Sequence, residues 1–469
     1  DIKNQFATVK GRLNFDIAAG LNLVTRDFKG NLMFKNTQLT PWLQLAGQDD
    51  LSGNITGEIA LNGNADTPDD ISVNADIKTI AIVLQEKFNV TSTDIKARLQ
   101  GKTFQISPFT TSLPEQGKLT LGASGTVDGD ITANASARIP VSAARQFAGD
   151  LPDLTGDISF DITALIKKKI KDSRFNAKVS INDVGVTLPD FPSKIHSING
   201  TILANRDQVE IKDITGFLDQ GSFSITGKTS LTDFMPRVYK ATLTARSMPV
   251  TVPEGLDALF DVDLNLAGTM EKSAINGTII LDSGELTREI NLNKEIISAV
   301  TNPQKSRKGV NQQKTPNPYL DNLTLDIFIQ ARNNFIVDTN LAGMEIHPDL
   351  RIQGSPMAPV VSGRSTIDPG TIHHYNKEFT LTRGTIDFIN PYKIEPEIDI
   401  QALHEVRDWD ITLSVTGTPD ALVFSLASDP QLEQADITSL LLRGKTTNEL
   451  ISSEGGSTFS PGHALAQFA

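Results

Sequence analysis

The stretch DWDITLSVTGTPDALVFSLASDP, Asp408–Pro430, alternates between apolar and polar residues on both sides of a short break. One face of the first half carries Trp409, Ile411, Leu413 and Val415, and the same row continues after the break with Leu422, Phe424 and Leu426. Period-two alternation is typical of a β-sheet with one face in water and one face buried. The break at Gly417-Thr418-Pro419-Asp420 holds turn residues, so the stretch is predicted to form two strands and a turn.

An internal repeat carries this alternation along most of the 469 residues. The motif DLSGNITGEIALNG begins at Asp50, DLTGDISFDITALI at Asp153 and GLDALFDVDLNLAG at Gly255, at spacings of 103 and then 102 residues. A period of this length is too long for a common solenoid coil and predicts a meander of about eight strands, repeated. No linker rich in Pro, Ser or Gly separates the repeats, so we expect them to continue one sheet.

The composition argues against several classes of protein. Asp and Glu number 56 against 43 Lys and Arg, a formal net charge of −13, whereas binding to nucleic acid depends largely on cations that neutralise phosphates. The absence of cysteine excludes a disulfide framework, a zinc–thiolate site and a cysteine nucleophile. No stretch approaches the ~20 apolar residues of a membrane-spanning helix.

Helical signals are few. The segment Pro140–Asp150 is predicted to form one or two turns, and Arg288–Thr301 a short helix that leads into a basic loop at 302–318. A further helix is predicted within Pro430–Gly444, where Gly444 ends the pattern. Its apolar face is predicted to consist of Leu432, Ile437, Leu440 and Leu441.

No arrangement of residues predicts catalysis. His373 and His374 are adjacent, and adjacent residues of a strand point to opposite faces, so a metal site with His404 and Glu405 is not expected. The sequence contains no nucleophile elbow, dinucleotide-binding fingerprint or HExxH motif. We therefore expect no enzymatic activity, no metal and no cofactor.

Two basic clusters, Lys167–Lys171 and Lys305–Lys314, stand in predicted loops. Solvated loops are the simpler explanation. The functional alternative is contact with anionic lipid headgroups or with an acidic surface of a partner.

The apolar face of such a sheet must be hidden by a second sheet, by curling of the sheet itself or by a ligand. One strand offers a clue, because its apolar row contains small residues: Ile131, Ala133, Ala135, Ala137 and Ile139. Tight local packing explains small side chains equally well. The alternative is a lumen between the walls that is left free for an apolar ligand.

The C-terminal third resembles a known family. The run Leu350–Thr446 contains, in order, GSPMAPVVSG, LTRGTIDF, EPEIDIQA, ITLSVTGTPD and SLASDPQLEQADITSLLLRGK. In these pieces it is similar to the C-terminal domain of the TamB family, the inner-membrane-anchored subunits of the translocation and assembly module of diderm bacteria. The rest of the chain has a looser, AsmA-like repeat character.

The resemblance implies an all-β fold: an elongated, U-shaped β groove (a β-taco) with an apolar interior, built from repeated antiparallel meanders with few short helices. The expected segments are a truncated repeat at 1–49, groove repeats at 50–150 and 151–252, a C-terminal groove at 253–430 and a truncated helical or irregular segment at 431–469. The family also implies a location in the cell envelope, as the periplasmic part of an inner-membrane-anchored protein. Its expected partners are phospholipids, an outer-membrane barrel that binds a segment largely missing here, and unfolded outer-membrane proteins.

Two functions follow as expectations. The favoured one is a conduit that carries phospholipid acyl chains between the inner and outer membranes. The alternative is an assembly factor for outer-membrane β-barrel proteins and autotransporters, which would bind unfolded strands by β-augmentation. The expected lipid-lining residues are Leu325, Ile327, Ile329, Phe379, Leu381, Ile386, Phe388, Ile398, Ile400, Ile411, Leu413, Val415, Leu422, Phe424 and Leu426. Replacing Leu413 with Arg is expected to block passage while the polar face maintains the fold.

Overall fold

The protein consists almost entirely of β-strands. The computed structural model describes residues 2–3, 8–9, 27–45, 47–48, 50–64, 67–84, 88–146, 153–187, 193–251, 255–288, 320, 322–333, 335–368, 370–419 and 421–453. The chain divides into two compact units. The first contains Asp1–Asp219 and Phe223–Ala241, and the second contains Gln220–Ser222 and Thr242–Ala469.

In the first unit, β1 and β2 pair with each other, and β3 to β13 form an antiparallel meander in chain order. The strands are β1 (Ile2–Lys3), β2 (Thr8–Val9), β3 (Asp27–Gln38), β4 (Leu51–Asn64), β5 (Thr67–Leu84), β6 (Phe88–Gln100), β7 (Thr103–Ser112), β8 (Lys118–Thr126), β9 (Ile131–Pro140), β10 (Asp153–Ile166), β11 (Arg174–Thr187), β12 (Ile195–Asn205) and β13 (Gln208–Leu218). The short helix α1 spans Thr40–Leu45, and 3-10 turns occupy Pro114–Gln116, Val141–Gln146 and Ile170–Asp172. Two further strands, β14 (Gly221–Thr232) and β15 (Met235–Val250), contain residues of both units.

The second unit contains the remaining strands and two helices. The strands are β16 (Leu256–Gly268), β17 (Ser273–Arg288), β18 (Leu323–Ala331), β19 (Phe335–Thr339), β20 (Ala342–Ser355), β21 (Ala358–Ile367), β22 (Thr371–His374), β23 (Lys377–Phe388), β24 (Glu397–Val406), β25 (Trp409–Thr418) and β26 (Ala421–Asp429). The helices are α2 (Gln434–Arg443) and α3 (Thr447–Ser453). Among the described residues, no helix has the length and hydropathy needed to cross a bilayer.

The prediction of an all-β fold made of antiparallel meanders is confirmed. The three repeat motifs begin the equivalent strands β4, β10 and β16, with six strands from β4 to β9 and six from β10 to β15. The estimate of about eight strands per repeat is therefore wrong. The physical reason is strand length: β4, β5 and β6 have 14, 18 and 13 residues, so fewer strands fit into each repeat. Bulges, as between Ile106 and Phe109 of β7, let a strand continue past an irregularity in its pairing.

Polar side chains of the neighbouring strand stabilise two of the bulges. The N–H of Asn36, whose φ is 47°, donates to Thr56 Oγ1 at 3.0 Å. The N–H of Asp183, with φ of 48°, likewise donates to Asn199 Oδ1 at 3.0 Å. Each bulge leaves one backbone donor outside the ladder, and the side-chain acceptor satisfies it.

One connection departs from the meander. Strand β17 pairs in parallel with β18 and with β19, and both of these pair antiparallel with β20. A parallel neighbour requires a long return connection rather than a tight turn. Residues 289–319 lie in that connection, so the predicted helix at Arg288–Thr301 and the predicted loop at 302–318 fall almost wholly outside the described residues.

The other two helical predictions are confirmed, except that Leu432, predicted on the apolar face of the second helix, precedes its first residue, Gln434. A 3-10 helix at Val141–Gln146 lies within the predicted segment Pro140–Asp150. Helix α2 occupies Gln434–Arg443 and ends at Gly444, whose φ of 71° is in the left-handed region. The N–H of Gly444 donates to the carbonyl of Leu440 at 2.8 Å, which closes the last turn of the helix.

Candidate apolar groove

The strand register places every predicted lining residue of the second unit on one face of its sheet. Residues directly opposite each other on antiparallel strands share a face. Leu413 lies opposite Ala402 and Leu426, and Ile327 lies opposite Ile352. The same pairing continues through β20, β21 and β23. We call this surface the apolar face.

The opposite face carries charges in matched pairs. Arg351 Nε contacts Asp326 Oδ1 at 2.6 Å, and Arg364 Nε contacts Asp387 Oδ1 at 2.6 Å. The hydrogen bond from the Arg351 guanidinium lowers the pKa of Asp326, although both groups remain open to solvent. This face is therefore the wet face that the alternation predicts.

Helix α2 covers the C-terminal part of the apolar face. Its side chains Ile437, Leu440 and Leu441 are fully buried. They belong to one core cluster with Ile367, Ile372, Phe379, Leu381, Ile400, Ala402, Ile411, Leu413 and Val415 of the sheet. Burying a side chain of this size stabilises by about 1.5–3 kcal/mol, so the contact of α2 with the sheet is strong.

Polar contacts hold both ends of α2 in place. Before it, the N–H of Leu432 donates to Ser428 Oγ at 2.8 Å, and Gln434 Nε2 donates to the Leu426 carbonyl at 2.7 Å. After it, the N–H of Thr447 donates to Asp436 Oδ1 at 2.9 Å. These contacts tie the helix to β26 on one side and to α3 on the other.

Helix α3 is itself bound to the loop between β24 and β25. Arg407 Nη1 lies 3.1 and 3.0 Å from the two carboxylate oxygens of Glu449. The N–H of Thr446 also donates to Glu449 Oε2 at 2.9 Å. This backbone hydrogen bond, followed by the charge of Arg407, lowers the pKa of Glu449.

Six of the predicted lining residues are thus buried in the core beneath α2: Phe379, Leu381, Ile400, Ile411, Leu413 and Val415. Ile386, Ile398, Leu422 and Leu426 pack partly buried against the same cluster. Away from it, Ile327 is buried while Leu325, Ile329 and Phe388 are half-buried. Phe424 is 47% exposed and stacks on His374 at a centroid distance of 5.7 Å.

Among the described residues, His373, His374 and His404 do not belong to a cluster of metal-binding side chains. His373 is exposed and His374 is half-buried, as expected for neighbours on one strand. Burial lowers the pKa of His374. His404 Nδ1 lies 2.7 Å from the carbonyl of Glu378.

A different trio has metal-binding side chains close together. The ligand atoms of Glu345, His347 and Asp368 lie within 4.8 Å of one another, and His347 Nε2 is 2.5 Å from Asp368 Oδ2. An ordinary contact between an imidazole and a carboxylate at the surface accounts for this geometry. No sequence motif identified these three residues.

The first unit also has a face formed by the apolar rows of its strands, and few of the described residues of this unit are buried on it. Within the described part of this unit, the buried apolar side chains are Ile77, Ala137, Ala143 and Val184. Large aliphatic residues of the inward rows, such as Leu121 and Ile162, are only half-buried. Apolar side chains that face one way yet remain accessible are typical of a binding groove.

A cleft of about 300 Å³ opens on this face, across β7, β8, β9 and β10. Its lining consists of Ile106, Phe109, Leu121, Gly122, Ala123, Ala133, Asn134, Ala135, Ile162 and Ala164. Ala133 lies opposite Ala123 on β8 and Ala164 on β10, so small residues meet across three neighbouring strands. The alanine row in the sequence therefore coincides with open space.

Sequence reasoning missed most of this lining and missed the role of α2. The alternation assigns Leu121 and Ile162 to an apolar row, but only the register shows that Ala123, Ala133 and Ala164 are neighbours. The apolar face of α2 was recognised in the sequence, whereas its position on the sheet was not. Periodicity identifies a buried face and leaves its covering element undefined.

The family model of the TamB C-terminal domain matches residues 212–469. This match is longer than the run Leu350–Thr446 and covers more than half of the chain. The residues that line the alanine-lined cleft precede the matched region. It supports a role in the translocation and assembly module, a location in the cell envelope and association with the outer-membrane partner of that module. The chain belongs to the TamB family.

Proposed function

We propose that the chain carries phospholipid acyl chains on the apolar face of its first unit, as part of a path between the inner and outer membranes. The observation that carries this proposal is the half-exposed apolar face with its alanine-lined cleft. The cleft volume of about 300 Å³ is at the lower end of the range of roughly 300–1,000 Å³ found for ligand sites. A hydrocarbon chain is the ligand that such a lining suits.

The energetics also support an acyl chain. Removing a methylene from water contributes about 0.8 kcal/mol, on the order of 12 kcal/mol for one long acyl chain. Ile106, Leu121 and Ile162 would contribute apolar surface only, and no residue acts chemically. The row Ala123, Ala133 and Ala164 would leave the chain room to slide, because methyl groups project little from the sheet.

The C-terminal part of the second unit has a different role in this proposal. Helix α2 packs over Leu413 and its neighbours, so these residues would bind lipid only if α2 left the sheet. We assign the first contact with acyl chains to the cleft, and its extension in the second unit to Leu325, Ile329 and Phe388, which are only half-buried.

The test is native mass spectrometry with lipid extraction on the purified protein and two variants. Ala133→Arg puts a charged side chain into the cleft, and its control, Thr132→Arg, puts the same charge on the exposed opposite face of β9. We expect phospholipid to co-purify with the parent protein and with Thr132→Arg, and to be lost from Ala133→Arg. Circular dichroism establishes that both variants are folded.

The alternative, an assembly factor that binds unfolded outer-membrane strands, is supported by the membership of the family in the translocation and assembly module. It predicts that the protein captures extended peptides with alternating side chains. Two results together would favour the assembly factor over the conduit. The parent protein would carry no lipid, and the parent and Ala133→Arg would capture such peptides equally well.

A further inference from the structure

Three connections of the first unit meet at one end of its sheet. They are the segment 167–173 between β10 and β11, the turn 206–207 between β12 and β13, and the turn 233–234 between β14 and β15. Successive turns of an antiparallel meander alternate between its two ends, so these connections share one end. Arg206 Nη1 donates to the carbonyl of Ser173 at 3.3 Å, and the N–H of Leu231 donates to the carbonyl of Asp207 at 2.7 Å. We call residues 166–175, 206–207 and 233–238 the lysine rim.

Large apolar side chains of the lysine rim project into solvent. The exposed fractions are 77% for Ile170, 60% for Phe234, 68% for Met235 and 52% for Val238. The ring of Phe175 stacks on that of Phe234 at a centroid distance of 6.0 Å. Exposed apolar side chains grouped in this way mark a surface that binds a partner or a membrane.

The backbone conformation at Phe234 independently indicates a binding surface. Asp233 and Phe234 have φ values of 51° and 63°, the pattern of a tight hairpin turn that favours Gly or Asn. A bulky residue in the left-handed region is strained, and Phe234 recovers little by burial. A strained, exposed aromatic residue at a turn points to a function in binding.

The charge of the lysine rim opposes that of the whole chain. Its residues include seven Lys and Arg against three Asp, whereas the chain has a net charge of −13. Lys167 pairs with Asp130 of the neighbouring turn. Lys168, Lys169 and Lys171 are exposed, and none of the ion pairs in the described part of the chain involves them.

We propose that the lysine rim docks on the surface of a bilayer that contains anionic phospholipid. Lys and Arg are interspersed in the lysine rim with exposed Phe, Met and Ile, which suits such a surface. The cations would bind the anionic headgroups, and the apolar side chains would insert at the boundary with the acyl chains. An acidic protein surface would satisfy the lysines but leave Phe234 and Met235 without an apolar partner.

The lysine rim adjoins the cleft. Phe175 lies opposite Ala164 in the pairing of β10 with β11, and Ala164 lines the cleft. An apolar surface therefore runs from the exposed tip at Phe234 through Phe175 to the cleft. Docking at this end would bring a bilayer next to the apolar face.

The test is co-sedimentation of the purified protein with vesicles of phosphatidylethanolamine and phosphatidylglycerol, against vesicles of phosphatidylcholine alone. We expect binding to the anionic vesicles that weakens as salt is added. The variant Lys168→Gln/Lys169→Gln/Lys171→Gln should bind on the order of 100-fold more weakly. The variant Ile170→Ser/Phe234→Gly should bind at least about tenfold more weakly, and its glycine suits the turn.

The control Lys178→Gln/Lys212→Gln/Lys228→Gln makes the same change of net charge at exposed mid-strand positions of the same unit. It should bind like the parent. Equal loss in the two triple variants, or equal binding to both kinds of vesicle, would overturn the proposal. Docking is separable from lipid carriage, because Ala133→Arg should lose lipid from the cleft and keep full binding to vesicles.

Discussion

At the residue scale, the position of Leu413 changes what a substitution there should do. The sequence suggested an open lumen, in which Leu413→Arg would leave the fold intact. Leu413 is instead fully buried beneath α2. An unpaired charge at that position would destabilise the second unit or expel the helix, so this variant does not isolate lipid passage.

We expect Leu413→Ala to lower the free energy of unfolding of the second unit by about 2–5 kcal/mol, because it leaves a cavity in a packed core. Denaturant titration measures this change. The control Thr416→Ala, at an exposed position of the same strand, should differ from the parent by less than about 0.5 kcal/mol. A small effect of Leu413→Ala would mean that α2 spends much of its time away from the sheet.

Asp261 is a second residue with a specific consequence. This carboxylate is buried, accepts the N–H of Ser247 at 3.0 Å, and contacts Arg332 Nη2 at 3.0 Å. The backbone hydrogen bond from Ser247, and after it the contact with Arg332, lowers the pKa of Asp261. Its contribution to stability is therefore present above the unfolded pKa of about 3.8 and is lost as the pH falls through the lower folded value.

We expect Asp261→Asn to reduce the free energy of unfolding by about 1–3 kcal/mol at neutral pH. The variant should also show a shallower loss of stability on acidification, since one linked proton is removed. Urea unfolding at a series of pH values measures both effects. Asp263→Asn, which removes a half-exposed ion pair with Arg246, is the control and should cost less than about 1 kcal/mol.

At the scale of the element, α2 acts as a cover for the apolar face of the last strands. Its inward residues are buried, while Leu442 on the same helix is 48% exposed. The helix is short, so it depends on tertiary packing rather than on its own propensity. Weakening its apolar contacts should release it from the sheet before the strands separate.

We expect Ile437→Ser/Leu441→Ser to expose the apolar face beneath α2, so that the protein binds a hydrophobic dye and is cleaved by protease near residues 430–453. Far-ultraviolet circular dichroism should still show the strands. Leu442→Ser makes the same chemical change on the exposed side of α2 and should resemble the parent. If both variants behave alike, α2 is not held by its apolar face.

At the scale of the whole molecule, the two units present their apolar faces differently. The first has a half-exposed face with an open cleft, and the second has a face whose C-terminal part is filled by its own helix. The first unit therefore has space for an apolar ligand without rearrangement. In the second, a ligand must compete with Ile437, Leu440 and Leu441 for the same surface.

This difference predicts where lipid binds. Phospholipid with a photoreactive acyl chain should cross-link mainly to residues 103–166, which span β7 to β10, and should spare β24 and β25. Peptide mapping by mass spectrometry locates the adducts. Disruption of α2 by Ile437→Ser/Leu441→Ser should add cross-links on β24 and β25. Predominant labelling of those strands in the parent protein would contradict the assignment of the cleft as the lipid site.

The sequence by itself determined the all-β class, the repeat and the faces of the strands. Period-two alternation is a local property, since each residue is assigned to a face by its neighbours in the chain. Leu413, Leu426 and Ile327 were therefore grouped correctly on one face, and α2 was found together with its apolar side. The motif run Leu350–Thr446 was enough to suggest the TamB family, which the longer match shows.

Only the tertiary structure decided how those faces are covered. Three features depend on contacts between residues that lie apart in the chain. They are the parallel pairing of β17 with β18, the packing of α2 on the sheet and the contact of Ala123 and Ala164 with Ala133. No periodicity encodes such contacts, because a strand pattern states which side is apolar and leaves open what packs against it. The same alternating sequence can line a closed core or an open cleft, and burial distinguishes the two.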